Sequence, residues 1–339
     1  GLLKVEQGKF TLMADMHHII SDGVSQGILV RDFMRLYPGE ELSALKLQYR
    51  DYAQWFNRAR ESARIAPQES FWLKQFQGPI PELNIPTDYE RPPLKNLEGD
   101  HLAVMLDTKL SEGLTQLAQN TATTIYMVLL AVYNILLAKY AMQEDIVVGS
   151  PITGRNHPDL QNIIGMFVNM LAMRNRPQRE KSFHQFLLEV KENTLAVFEN
   201  QDYPFDELVG RLKIQRTPER NPLFNTVLAM QNMTAGPGHR QHPKGSNALK
   251  TTPHAYENKI SRFDITIFAV EVGAGIHLFF RYSTQLFQRD TIERMAKHYS
   301  EILRQIVKDI DIKLEAVTIS SGLLPVSQLS EKENVDFIF

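Results

Sequence analysis

The stretch "IYMVLLAVYNILLAKY" (125–140) constrains this chain more than any other, because it is apolar around its whole circumference rather than along one stripe. It is too short for a membrane span and carries Asn134 and Lys139, so its place is a helix buried inside a large core. A strand pattern, "HLAVML" (101–106), and a helix capped by Ser111 precede it, and the strand "DIVVGSPI" follows, which gives the order βααβ. A chain of 339 residues with 43% hydrophobic and 22% charged side chains can build such a core and is more than one compact unit usually organises.

The opening region is also mixed. From Lys9 to His18 the residues alternate, with Phe10, Leu12, Ala14, Met16 and His18 on one face, so a buried strand is expected to end in His17 and His18 with their rings on opposite sides. After Asp22-Gly23, "VSQGILVRDFMRLY" has helical spacing, and "LQYRDYAQWFNRARESARIAPQESFWLKQF" predicts one or two long helices. The proline-rich "GPIPELNIPTDYERPPLKNLEG" (78–99) reads as an extended crossing segment between lobes.

Beyond it, Ser182 caps a helix whose face gathers Phe183, Phe186, Leu187, Val190, Leu195 and Phe198. Strands "LFNTVLAMQN", "RFDITIFAVEV" and "GIHLFFRYST" follow, the first two separated by a polar excursion (233–259), and a helix over 289–308 closes the lobe. The tail from Lys313 has little periodicity and reads as a linker. The start, running directly into a strand pattern, suggests a sequence that begins inside a domain.

Charge and composition exclude several functions. With 37 basic and 39 acidic residues there is no basic field for nucleic acid, and with no cysteine there is no disulfide framework, thiolate nucleophile or sulfur-ligated zinc. No secretory signal opens the chain, so a cytoplasmic location is expected. Adjacent histidines suggest a metal, yet rings that diverge on a strand, with no HExxH, argue against one. His17 is compatible with a hydrogen-bonded core histidine, and Asp22 with a plain helix cap. His18, on the apolar face at a strand end, suits acid/base work. No G-x-S-x-G elbow is present, so an enzyme built on His18 would transfer an acyl group directly to its acceptor.

"MHHIISDG" resembles the HHxxxDG signature of nonribosomal peptide synthetase condensation domains. Four further motifs resemble that family in the same order: "LQYRDYAQW" (47–55), "IGMFVNMLAMR" (164–174), "NQDYPFDELV" (200–209) and "RTPERNPLFNTVLAMQN" (216–232). The resemblance implies an α/β (α+β) fold like chloramphenicol acetyltransferase, a two-lobed V with the active-site tunnel between the lobes. Residues 1–80 would be the remainder of the N-terminal lobe, 81–315 the C-terminal lobe, and 316–339 a linker toward an adenylation domain. The family's two earliest motifs are absent, so most of the N-terminal lobe is expected to lie outside this sequence, and the chain is not expected to condense substrates unaided.

The implied activity is peptide-bond formation in antibiotic biosynthesis. An upstream carrier-bound aminoacyl or peptidyl thioester is joined to the amine of a downstream aminoacyl thioester. No cofactor is bound directly; both substrates hang on phosphopantetheine arms of peptidyl carrier domains, and neither nucleic acid nor membrane is a partner. By resemblance His18 is the catalytic histidine, and His17, Asp22 and Gly23 support it. Asp22 would pair with an arginine of the absent lobe, and Gly23 would let the backbone approach the reacting carbonyl. Asn169 either lines the tunnel or makes an ordinary strand-end hydrogen bond. An epimerization domain of the same superfamily and a non-catalytic docking platform are the alternative readings; a heterocyclization domain, with an Asp-rich replacement for the histidine motif, is disfavoured.

Overall fold

The computed structural model describes residues 1–61, 65–231, 249, 259–273 and 275–320. A hairpin opens the chain, with β1 (Leu2–Glu6) antiparallel to β2 (Lys9–Leu12). It forms its own two-stranded sheet. Three helices follow: α1 (Gly23–Leu36), α2 (Tyr49–Glu61) and α3 (Ala66–Gln75). Residues 78–98 then cross the molecule with no helix or strand, as their prolines predict.

The main body is a six-stranded mixed sheet. Its strands are β3 (Gly99–Met105), β4 (Ile146–Ile152), β5 (Asn169–Asn175), β6 (Thr226–Gln231), β7 (Ile265–Val272) and β8 (Gly275–Ser283), in the order β3-β8-β7-β6-β4-β5. Pairs β4/β6 and β6/β7 are parallel and the others antiparallel. The helices of this body are α4 (Thr108–Asn120), α5 (Ile125–Ala141), α6 (Phe183–Glu199), α7 (Phe205–Arg211) and α8 (Arg289–Lys308).

The all-round apolar segment is α5, and its surroundings explain its composition. It touches α4, α6, α8 and β4, so no side is left for water. Two of its polar groups find partners: Asn134 Nδ2 donates to the Leu130 carbonyl at 2.7 Å, and the Tyr133 and Thr226 hydroxyls share a hydrogen bond. Helix α6 starts in a capping box between Ser182 and Gln185, as Ser182 predicts, and α8 spans the predicted 289–308. One apolar core runs from Ile65, Trp72 and Phe76 through α5 to Leu314 and Val317. It therefore takes in α3 on one side of residue 81 and the first residues of the tail on the other.

Several expectations are corrected. The alternating segment 9–18 is a strand only as far as Leu12, because β1 offers a partner only from Leu2 to Glu6 and the ladder closes where Met13 N donates to the Gly1 carbonyl. Nor is it a core strand: Phe10 and Leu12 are exposed. Helix α4 is capped by Asp107, whose Oδ1 accepts from Leu110 N, while Ser111 lies inside it and takes Ile276 N on its hydroxyl. Leu195 is exposed on the outer side of α6. The tail is not all linker: Val317 is buried, Gln305 holds Thr318, and Ser320 is gripped by Glu301 and His298. Most of 233–259 and all of 321–339 lie outside the described residues.

Candidate functional site

With the strand ended at Leu12, His17 and His18 sit in a turn rather than on opposite faces of a sheet. His17 is exposed and extended (φ −64°, ψ 136°), and its Nδ1 accepts from Ile19 N at 3.1 Å, which caps the 3-10 turn His18–Ile20. His18 is half-buried, and its Nδ1 is enclosed with no hydrogen-bond partner among the described residues. The turn closes with Ser21 N donating to the His18 carbonyl at 3.4 Å and delivers the chain to Asp22.

Asp22 is fully buried and every contact it makes is structural. Oδ1 accepts from Ser25 N at 2.8 Å, the expected helix cap, and from Ser25 Oγ at 2.7 Å. Arg155 Nη2 stands 3.0 and 3.2 Å from the two carboxylate oxygens, and Phe167 N donates to Oδ2 at 3.1 Å. The arginine expected from an absent lobe is thus in this chain, in the loop after β4. Among the described residues neither imidazole is hydrogen-bonded to Asp22, so no His-Asp relay forms. Gly23 is the first residue of α1.

Arg155 is buried by the same network. Nη1 donates to the Leu160 and Ile163 carbonyls, each at 2.6 Å, and the guanidinium lies 4.1 Å from the Phe167 ring centre. Gly154 before it has φ +64°, and a Cβ there would stand 2.0 Å from the Phe167 carbonyl oxygen. Ser25 Oγ completes the node beside Arg155 Nη2 (3.0 Å), Gly165 N (3.0 Å) and Gly165 O (2.9 Å). A hydroxyl with one proton and two lone pairs accepts from those two donors and gives its proton to Asp22 or to Gly165 O.

Helix α2 covers this loop with aromatics. The Tyr49 ring lies where a side chain on Gly165 would be, and its hydroxyl donates to the Met166 carbonyl at 2.8 Å. Tyr52 packs 4.7 Å from Phe167, and burial, with the Asp202 charge second, pushes its phenol up to about 12. Burial and then the Asp22 charge also raise the Tyr49 phenol.

Asn169, at the start of β5, spends its amide on backbone. Nδ2 donates to the Gln201 and Tyr203 carbonyls, each at 2.9 Å, and Oδ1 accepts from Met170 N and Phe205 N. That is the strand-end role, extended to clamp the "QDYPFD" turn. The first four motifs therefore meet in one place. The fifth reaches the fourth through Phe224, whose ring centre lies 5.2 Å from that of Phe205 and which also fills the space above Gly149, while Asn225 Oδ1 accepts from Asn221 N. Sequence reasoning missed Arg155 and Ser25; the available signal was a lone Gly-Arg step after an apolar strand, a source of charge for a buried Asp22. Among the described residues no group of three or more His, Cys, Asp or Glu gathers as metal ligands, and no single helix is long and apolar enough to cross a membrane.

The family model for the condensation domain matches residues 1–322. Tyrocidine synthase 3 of Brevibacillus parabrevis is 48% identical over 318 residues, 94% of this chain and 5% of that protein. Gramicidin S synthase 2 of Brevibacillus brevis is 45% identical over 333 residues, covering 98% and 7%. Bacitracin synthase 3 of Bacillus licheniformis is 45% identical over 320 residues, covering 94% and 5%. The chain thus spans a small fraction of the curated relatives it matches. Among solved structures, a holo four-domain nonribosomal peptide synthetase bound to AMP and glycine superposes with TM-score 0.82 at 22% identity, over 94% of this chain and 25% of that one. The X-domain from teicoplanin biosynthesis gives 0.82 at 22%, over 90% and 71%. At that identity these two speak to the fold alone.

Proposed function

The chain belongs to the condensation-domain family of nonribosomal peptide synthetases, and on that premise we propose that it joins an upstream aminoacyl or peptidyl thioester to the amine of a downstream aminoacyl thioester, with His18 as the catalytic residue. The observation that carries this reading is the contrast between the two histidines. His17 is spent on the Ile19 amide, whereas His18 Nδ1 makes no hydrogen bond among the described residues. Its other ring nitrogen is then the one offered to a substrate, next to a turn held rigidly by buried Asp22.

The chemistry asks little of the base. An α-amino group has a reference pKa near ~8, so on the order of a tenth is already neutral at pH 7. Attack on the thioester carbonyl forms the C–N bond, the tetrahedral intermediate expels the thiolate, and the ammonium proton must leave. His18 either takes that proton or holds the amine and the developing charge; holding two tethered thioesters together supplies rate of its own.

In this proposal residues 1–80 complete a first lobe, 81–315 form the second, a tunnel runs between them, and 316–339 lead to an adenylation domain. Ile65, Trp72 and Val317, outside those limits, share one buried apolar core with residues of the second lobe. Upstream and downstream carrier domains would present their phosphopantetheine arms from the two ends of the tunnel. His17, Asp22 and Gly23 shape the turn that presents His18, and Asn169 fixes the adjoining loop. The deciding assay is peptide-bond formation between two loaded carrier domains, using a protein that contains the complete domain. Dipeptidyl thioester formation supports the proposal; its absence, or inversion of an aminoacyl centre instead, supports a docking platform or an epimerization domain.

A further inference from the structure

No residue from Leu12 to Ile20 is buried, whereas Ser21, Asp22 and Ser25 are. The His18 imidazole therefore inherits its place from whatever fixes the chain between Ser21 and Ser25. Asp22 reaches the body of the molecule at Arg155 and at Phe167 N. Ser25, the third residue of α1, makes a further attachment to main chain: its Oγ lies 3.0 Å from Gly165 N and 2.9 Å from Gly165 O. That stretch is itself held, since the Tyr49 ring fills the space a Gly165 side chain would need and the Tyr49 hydroxyl donates to the Met166 carbonyl.

We infer that Ser25 is a positioning residue for His18, its hydroxyl keeping the histidine turn at a fixed place against the Gly165–Phe167 loop. The inference rests on the catalytic role proposed for His18. A hydroxyl has one proton and two lone pairs. Arg155 Nη2 and Gly165 N, both donors at 3.0 Å, fill the lone pairs. The proton goes to Asp22 Oδ1, which is charged and stands at 2.7 Å, ahead of the Gly165 carbonyl at 2.9 Å. Deleting Oγ thus takes one bond from the Asp22 carboxylate and leaves the buried Gly165 N–H without that acceptor, which draws the loop toward water. Asp22 still keeps Arg155, Phe167 N and Ser25 N, so the ion pair survives while the turn loosens.

The test uses a protein that contains the complete domain and compares Ser25→Ala with Ser182→Ala, which removes the cap of α6 and serves as a control for lost stability alone. In dipeptidyl thioester formation between two loaded carrier domains, Ser25→Ala is expected to lower kcat about tenfold to a hundredfold with KM within about twofold of the parent. Ser182→Ala should leave both unchanged. A second readout needs no activity: trace diethyl pyrocarbonate is added, and modification of His18 is followed by peptide mass spectrometry against His101 on β3. Ser25→Ala should speed modification of His18 about threefold or more as the loosened turn exposes its ring. A folded Ser25→Ala protein with the parent's kcat, an equal loss of kcat in Ser182→Ala, or an unchanged His18 modification rate overturns the inference. An inactive parent overturns the proposed function instead, and the His18 modification rates then decide the role of Ser25. If Ser25→Ala does not fold, Ser25→Cys, which keeps only a weak donor and acceptor at that position, is read in the same two ways.

Discussion

Asp22 carries two duties at one carboxylate, a helix cap and half of a buried ion pair, and their energies differ enough to be separated. Losing a cap costs about 0.5 to 2 kcal/mol, while removing one member of a buried pair costs about 3 to 5 kcal/mol because the other charge is stranded. With Arg155 side-chain exposure at 1% and Asp22 at 0%, the second figure applies. Urea unfolding of Asp22→Ala is therefore expected to show a loss of about 3 to 5 kcal/mol; a loss below about 2 kcal/mol would reduce Asp22 to a cap. At the histidines the expectation is reversed in kind. In a protein with the complete domain, His18→Ala should abolish most dipeptidyl thioester formation while leaving the unfolding midpoint near that of the parent. His17→Ala should lose the Ile19 cap and lower stability with the rate largely kept. Equal rates for parent and His18→Ala at saturating carrier protein would refute the assignment of His18.

Elements here are held in register by small residues at close approaches, and Gly154 is the sharpest instance. Its positive φ is strained for any side chain, and a methyl group would stand 2.0 Å from the Phe167 carbonyl, backbone that cannot swing aside. Gly154→Ala should thus displace the loop that carries Arg155, costing more than the ~1 kcal/mol typical of a point change. Calorimetry of that variant beside Ser182→Ala, expected to lose about 1 kcal/mol from its capping box, would rank the two, and the reverse order would contradict this account. Legibility in the sequence follows the same division. Local signals were sufficient for α5, α6 and α8, where periodicity, a capping serine and a run of apolar residues each point one way. They were insufficient at 13–18, because alternation describes a strand only if a partner strand exists, and at Ser111, because two oxygen-bearing residues within one turn compete for the cap. Arg155 escaped for a further reason: its charge is matched by Asp22, 133 positions away. The five motifs were readable as a set, but not that each of them packs on another.

The molecule as a whole is unevenly stabilised, with a large sheet-and-helix body at one extreme and the opening hairpin at the other. Strands β6 and β7 sit in the middle of the six-stranded sheet, with the first four residues of β6 and the first six of β7 buried. By contrast, among the described residues β1 and β2 pair only with each other, and Leu2, Leu3, Val5, Phe10, Leu12 and Met13 are all more than half exposed. An isolated two-stranded hairpin is marginal in water, and apolar side chains exposed on both its faces, Leu2, Phe10 and Leu12 on one and Leu3 and Val5 on the other, favour association. Two consequences follow for the chain by itself. In hydrogen exchange the amides of residues 2–12 should exchange with little protection, while those of β7 should be protected by close to the global unfolding free energy. In sedimentation the chain should self-associate with rising concentration, and the double substitution Leu3→Lys with Phe10→Lys should shift it toward monomer without altering β7 protection. Strong protection of the hairpin in a monomeric chain would mean that this surface is covered by residues outside those described, and the division into a firm body and a loose leading edge would fail.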